Sequence, residues 1–273
     1  MMSAQECRPE VLYYMKKNIP LPSVSLGSEP DIPDSSLLME YVSSYRGIEA
    51  DLITFQMLRS CSAQLQAGIT EIAVGGRYCR PRFLDALSWD EEQGPLIHPD
   101  TLRADYSLLI RSGGILCSVH ESPAVLASCP NPDNEDAYAE FFHGFRQVLR
   151  TLRDIQISGH IIHLKDPISL ELELLAGPKT LLCIDQPSQG MLEELLEYTA
   201  DLVIPADTIS VVGELMDRYE IRTLILSQGD ECAHNLSEAL QYVDPDHIKV
   251  AGYGVGLEEE YWKKVKESAV ICV

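Results

Sequence analysis

The second half of the chain alternates short apolar runs with longer amphipathic segments. Five runs rich in leucine and β-branched residues follow one another: HIIHL at 160–164, TLLCI at 180–184, LVIP at 202–205, TLIL at 223–226 and IKVA at 248–251. This spacing is typical of parallel strands, because each crossover between them needs a dozen or more residues. Three earlier runs complete the pattern: SVSL at 23–26, EIAV at 71–74 and ILCSV at 115–119.

The segments between these runs have the periodicity of helices. They predict helices at 51–66, 134–155, 169–176, 188–198, 208–219, 231–242 and 258–268. Short polar side chains at Asn134, Ser188 and Asp207 are expected to cap three of them, since such groups accept hydrogen bonds from the first free N–H groups of a helix.

Eight strands separated by helices predict one domain over residues 1–273, an α/β fold of the (β/α)8 TIM-barrel class. A doubly wound open sheet is the alternative, because the pattern does not encode strand order. Residues 1–20 and 89–111 lack a regular pattern. They are expected to form an N-terminal extension and a long irregular connection between the second and third strands.

Charge and composition narrow the classes of partner. The formal net charge is −21 with a pI near 4.6, which argues against nucleic acid and anionic membranes because phosphate groups would be repelled. No apolar run approaches the roughly 20 residues of a membrane span, and the N-terminus does not read as a signal peptide. We therefore expect a cytoplasmic protein whose eight cysteines are reduced thiols.

Five stretches, in the right order over nearly the whole chain, resemble the catalytic barrel of cobalamin-independent methionine synthase and the wider group of uroporphyrinogen decarboxylase-like methyltransferases. They are SVSLGSEPDIP (23–33), QLQAGITEIAVGGR (64–77), HESPAVLA (120–127), IIHLKDP (161–167) and ALQYVDPDHIKVAGYGVGLEEEYW (239–262). The resemblance implies a zinc ion that binds a substrate thiol as a thiolate, which keeps the sulfur nucleophilic toward a methyl donor.

The implied metal ligands carry over only in part. The His-x-Cys pair of the family falls on Cys183 and Asp185, its Glu falls near Ala206 or Asp207, and its last Cys falls on Val255, which has no ligand atom. Cys183, Asp185 and Asp207 are therefore the candidate ligands, with His120, Cys232 and His234 as further sources. The alternative is that Cys183 packs the core and Asp185 caps a helix.

The implied substrate pocket has changed its charge. The family's Gly-Ser turn is kept as Gly27 and Ser28, but its two carboxylates, which would bind an amine, fall on Arg77 and Lys165. Two cations favour an anionic, amine-free ligand, such as a thiol acid of the coenzyme M type. The alternative is that each cation pairs with a nearby acid, for instance Lys165 with Asp166 or Asp185.

His120 and Tyr253 follow or end predicted strands and are added to the candidate substrate site. His160 and His163 are three residues apart on one strand, so they are expected on opposite faces and not at a shared metal.

The leading hypothesis is methyl transfer to a small thiol or other anionic acceptor. The methyl donor would be a pterin or a methylated corrinoid, the latter supplied by a corrinoid-protein partner. Two alternatives remain: a non-catalytic descendant that binds a ligand or partner through the same end of the barrel, and a metal-independent decarboxylase or lyase.

Overall fold

The computed structural model describes residues 18–44, 51–111, 113, 116–227, 232–255 and 259–272, without the side chains of 232–234, Val255 and Cys272. Within these ranges the strands are β1 (Asn18–Pro20), β2 (Ser23–Glu29), β3 (Ile72–Gly75), β4 (Leu87–Asp90), β5 (Gly94–Ile97), β6 (Leu116–Glu121), β7 (Gly159–Leu164), β8 (Thr180–Ile184), β9 (Asp201–Pro205), β10 (Thr223–Ser227), β11 (Ile248–Val255) and β12 (Val270–Cys272). The α-helices are α1 (Ser35–Ser44), α2 (Leu52–Ala67), α3 (Arg80–Ala86), α4 (Asp100–Ile110), α5 (Glu135–Asp154), α6 (Ser169–Leu175), α7 (Gln189–Leu196), α8 (Val211–Met216), α9 (Cys232–Ala239) and α10 (Glu259–Ser268).

Eight parallel strands form a ring. One four-stranded segment has the order β2-β11-β10-β9 and the other has the order β3-β6-β7-β8. A parallel bridge between Val24 and Glu71 joins β2 to β3, where the N–H of Ser25 donates to the Glu71 carbonyl over 2.9 Å. At the other junction β8 lies beside β9, with no hydrogen-bonded ladder between these two described strands. The cyclic order is that of a (β/α)8 barrel, and the open-sheet alternative does not fit it.

The interior of the ring is a packed apolar core to which every barrel strand contributes. Its buried members are Val24, Leu26, Ala73, Val119, Ile161, Cys183, Val203, Ile225 and Ala251. Because alternate residues of a strand face opposite sides, the residues between them point outward and meet the helices. A second, larger core therefore lies between the strands and the helical layer.

The eight predicted barrel strands and seven predicted helices are all present, with shifted ends. Asn134 and Ser188 cap α5 and α7 by accepting hydrogen bonds from the N–H groups of Ala137 and Met191. The predicted cap at Asp207 is wrong: Asp207 lies exposed in a 3-10 turn, Ala206–Thr208, and α8 begins only at Val211.

Both regions that were expected to be irregular contain regular structure among their described residues, while 1–17 lie outside the described residues. The stretch 89–111 contributes to an antiparallel hairpin of β4 and β5, followed by α4. The hairpin packs on α5, where a Cβ on Gly144 would come within 3.0 Å of Leu87 and Pro95. Asn18–Pro20, inside the expected irregular extension, forms β1 and pairs with β12. In the part of the chain described, no helix combines the length and apolar character needed to cross a membrane.

Candidate functional site

The carboxyl ends of the barrel strands form one face, here called the mouth. Two charged or polar side chains reach across it. The guanidinium of Arg77, just after β3, donates from Nη2 to Asp185 Oδ2 over 2.7 Å at the end of β8. His163 on β7 reaches Asp185 Oδ1 with Nδ1 at 3.1 Å and the Leu26 carbonyl with Nε2 at 2.9 Å. In the ring, β3 and β8 are three strands apart, and so are β7 and β2, so both links span the opening.

Asp185 is fixed by these two partners. The hydrogen bond from His163, together with the nearby Arg77 guanidinium, holds the pKa of the Asp185 carboxyl below its usual range. Asp185 is thus an ionised carboxylate held between two donors.

Glu29 and Tyr253 form a hydrogen-bonded pair beside the group of Arg77, Asp185 and His163. The Tyr253 hydroxyl donates to Glu29 Oε1, which also accepts the backbone N–H of Arg77 over 2.7 Å. Burial, followed by the neighbouring Glu29, raises the pKa of the Tyr253 hydroxyl. The Tyr253 ring lies edge-on to the His163 ring with centroids 5.1 Å apart. The Glu29–Tyr253 pair is therefore in contact with the group around Asp185.

Arg80 and Glu121 form an ion pair next to Arg77. Arg80 donates from Nε and Nη2 to the two oxygens of Glu121, each over 2.6 Å, and Arg77 Nε lies 3.9 Å from the same carboxylate. Lys165 is exposed and forms no ion pair with any residue in the described ranges. Asp185, one of the two acids expected as a partner of Lys165, pairs with Arg77 instead.

Glycines keep the β2 and β3 side of the mouth narrow. Gly75 has φ of +125°, and a Cβ there would lie 2.2 Å from the Val119 carbonyl oxygen. Gly27 has φ of +110°, and a Cβ there would lie 2.8 Å from the Val119 side chain and 3.3 Å from the Tyr253 ring. Both backbone conformations are favourable only for glycine, so the close approach of β2, β3 and β6 depends on them.

Two predicted substrate residues turn away from the mouth. The Ser28 hydroxyl is fully buried and lies 2.9 Å from the Ser60 hydroxyl on α2. His120 is also buried, on the outer face of β6, where its ring packs 4.2 Å from that of Phe83 and its Nε2 lies 2.7 Å from Ser118 Oγ. Neither side chain can reach a ligand at the mouth in this arrangement.

The predicted zinc ligands do not assemble. Cys183 is part of the barrel interior, and burial strongly raises its thiol pKa, so it stays protonated. Asp185 already binds Arg77 and His163, and Asp207 lies exposed after β9. Among the described residues no three His, Cys, Asp or Glu side chains are placed to share a metal ion. The described residues therefore do not fit a zinc site, while the side chains of Cys232 and His234 lie outside the described residues.

Of the residues predicted from the sequence, Arg77, Asp185 and Tyr253 belong to the hydrogen-bonded network at the mouth, and Lys165 does not. Sequence reasoning did not single out Glu29, Glu121 and His163 as site residues. The signals were present, since all three are polar residues at or next to the end of a strand. The opposite orientation of His160 and His163 follows the predicted alternation: His160 faces Ser118 outside the ring and His163 faces inward.

No protein-family profile matches the chain, and no curated protein matches its sequence. Several solved structures are similar in shape. A homocysteine methyltransferase, MmuM, from Escherichia coli is 12% identical with a TM-score of 0.48, over 92% of this chain and 96% of that one. A B12-independent methionine synthase from Shewanella sp. W3-18-1 is 13% identical with a TM-score of 0.49, over the same shares. Tryptophan synthase from M. tuberculosis is 12% identical with a TM-score of 0.40, over 92% and 94%. At these values the similarities assign no function.

Proposed function

We propose that the mouth binds a small, amine-free anionic molecule through Arg77, without a zinc ion at Cys183 and Asp185. The observation that carries this proposal is the state of the Arg77 side chain. It is 59% exposed, and only Nη2 makes a hydrogen bond to a described side chain, so most of its five N–H donors remain for a ligand. Asp185 holds the guanidinium at the opening, and a planar carboxylate, sulfonate or phosphate can accept from its free edge.

The remaining charges at the mouth support an anion over an ammonium group. The three carboxylates of the Arg77 network are already bound: Glu29 by Tyr253, Glu121 by Arg80, and Asp185 by Arg77 and His163. An ammonium beside Arg77 would have to displace one of these donors, whereas the exposed carboxylates that follow β7 and β9, Asp166 and Asp207, are outside this network. Arg77 and the exposed Lys165 keep donors that no described carboxylate uses, so positive charge is available to a ligand at Arg77.

The reaction class we favour is methyl transfer to such an anionic acceptor. Support comes from the order of the methionine synthase-like motifs along the chain, on a barrel that the strand order establishes. A thiol acceptor reacts as its thiolate. Because the described residues do not fit a zinc site, this step is proposed without zinc activation. A binding protein without catalysis and a metal-independent decarboxylase remain the competing activities.

Isothermal titration with 2-mercaptoethanesulfonate and with homocysteine tests the ligand class. The sulfonate should bind more tightly, and Arg77→Gln should weaken its binding by at least about tenfold, because a charge-assisted contact is worth about 1.5 kcal/mol or more. Arg59→Gln, which removes an exposed arginine paired with Glu40 outside the mouth, is the matched control and should change nothing. A preference for homocysteine, or unchanged binding in Arg77→Gln, would contradict the proposal.

Asp185→Asn adds a sharper arm to this experiment. The Asp185 carboxylate repels an anion bound at the free edge of Arg77, and the Asn amide oxygen can still accept from Arg77, so Asp185→Asn should tighten sulfonate binding while Arg77→Gln weakens it. Opposite shifts from two partners of one ion pair are not expected if the pair is only structural.

Metal analysis and activity assays separate the remaining alternatives. Zinc content after purification should be well below one per chain and should not change in Cys183→Ser. Stoichiometric zinc that is lost in this variant would instead restore the metal-dependent hypothesis. Methyl transfer from methylcobalamin or a methylated pterin to the bound thiol would support the methyltransferase. Saturable binding without turnover would favour the non-catalytic protein.

A further inference from the structure

A small pocket lies at the opposite face of the barrel, at the amino-terminal ends of β7 and β8. It has a volume of about 50 Å³ and is enclosed by the last two turns of α5 and the segment between α6 and β8. The polar side chains that line it are Arg146, Arg153, His160, Lys179 and Thr180. This face is remote from the mouth, so whatever binds here is independent of the function proposed above.

The charge of this pocket is the reverse of that of the chain. The protein has 42 acidic and 21 basic residues, yet three cations and no acidic residue line the pocket. Among the described residues none of the three forms an ion pair, and Arg146 makes one hydrogen bond, from Nη1 to the Leu174 carbonyl over 3.4 Å. The three side chains are exposed, so water can also solvate them, but their position around one cavity in so acidic a chain favours an anion there.

His160 forms part of the wall between the barrel and this pocket. It is only 2% exposed, its Nδ1 lies 2.7 Å from Ser118 Oγ, and its Nε2 is buried near the Leu149 backbone. Burial, followed by the charges of Arg153 and Lys179, lowers its pKa to about 3, so the ring is neutral at ordinary pH. The charge of the pocket therefore comes from its three cations, and the neutral ring only closes its inner wall.

The volume sets the size of the anion. One water needs about 10–15 Å³ of such space, so the pocket takes roughly three to five oxygen-sized atoms. A tetrahedral oxyanion has four oxygens and matches this capacity. A neighbouring cavity of about 190 Å³ shares His160, Pro178, Lys179 and Thr180 with the pocket, which leaves room for an organic group attached to the anion.

We propose that this basal pocket is a binding site for a tetrahedral oxyanion, either inorganic phosphate or the phosphate group of a small ester. Arg153 and Lys179 supply the charge, Arg146 closes the side next to α6, and the neutral His160 ring forms the inner wall. Arginine and lysine are the side chains that most often bind phosphate, and the two arginines add directional N–H donors.

Isothermal titration with inorganic phosphate and with glycerol 3-phosphate, at constant ionic strength in chloride, tests the site. Both should bind saturably, and Arg153→Gln or Lys179→Gln should each weaken phosphate binding roughly tenfold. Arg150→Gln is the matched control: Arg150 is an exposed arginine of the same helix that does not line the pocket, so binding should stay within about twofold. Circular dichroism would verify that the surface variants remain folded.

Two results would overturn the proposal. One is the absence of saturable phosphate binding. The other is an equal loss of affinity in Arg150→Gln and Lys179→Gln, which would reduce the effect to general surface charge. Arg77→Gln, at the mouth, should leave phosphate binding at the base within about twofold, and its loss there would assign the anion to the mouth instead. Phosphate binding without sulfonate binding would refute the proposed function alone.

Discussion

Mild acid should destabilise the fold through two buried histidines. His120 and His160 are 1% and 2% exposed and are joined through the Ser118 hydroxyl, which lies 2.7 Å from a ring nitrogen of each. Both rings lie in the core, so a second ring hydrogen would place a positive charge in a buried site away from water. Burial lowers the pKa of His120 far below its usual range and that of His160 to about 3.

The sign and the size follow from proton linkage. An unfolded histidine binds its proton near pH 6.5, whereas both folded rings stay neutral, so the unfolded state takes up more protons below that pH. Each ring then removes about 1.4 kcal/mol of stability per pH unit, or about 2 kcal/mol between about pH 6.5 and pH 5. The pair together removes about 4 kcal/mol, a large share of the about 5–15 kcal/mol that domains possess.

Urea unfolding at about pH 7, 6 and 5, followed by tryptophan fluorescence, measures this loss. Protonation of surface carboxylates relieves repulsion in this acidic chain and acts in the opposite direction, so a variant must isolate the histidine contribution. His120→Phe places a non-titrating ring among Phe83, Tyr106 and Phe145 and should halve the pH dependence that the pair produces. An identical pH slope in this variant and in the parent would refute the reasoning.

Three other predictions concern stability in urea at neutral pH. Arg82→Met should cost about 3–5 kcal/mol, because it leaves the buried Asp105 carboxylate, now 2.7 Å from Arg82 Nε, unpaired. Arg59→Met, at an exposed pair, should cost less than about 1 kcal/mol, and equal costs would contradict the burial argument. Ser188→Ala should cost about 1 kcal/mol through the lost cap of α7, and no measurable change would remove that role. Gly75→Ala should yield little folded protein, since its Cβ would lie 2.2 Å from a carbonyl oxygen, and a normal unfolding midpoint would contradict this.

The barrel was predictable from the sequence because its strands are buried on both faces. Such strands appear as short continuous apolar runs, and eight of them separated by helices favour the barrel. The strand order, which argues against an open sheet, comes from the structure. The hairpin of β4 and β5 was not predicted, because all but one of its strand residues are only half-buried. It packs on α5 and is not part of the ring. The helix α4 was overlooked although Leu102, Tyr106 and Leu109 have helical spacing and are fully buried, since acidic and proline-containing segments precede it.

The candidate site was predictable in direction but not in pairing. Strand alternation alone places Cys183 and Asp185 on the same face, and it separates His160 from His163. That this face is the inner one is seen only in the structure. Arg77 meets Asp185 because its long side chain spans the distance between the ends of β3 and β8. That distance depends on the order of the strands in the ring. Long side chains that cross an opening are not visible in a local pattern.

The depth of a residue in the barrel decides what chemistry it can perform, even when the strand face is right. Cys183 and Asp185 are only two residues apart, but Cys183 lies in the dry interior, where a thiolate would be desolvated, and Asp185 lies at the rim within reach of two donors. A metal ion shared by both would require the thiol to ionise and Asp185 to leave Arg77 and His163. Without a third described ligand, nothing offsets those two losses. The same rim position makes Asp185 suited to hold an arginine in place for a ligand.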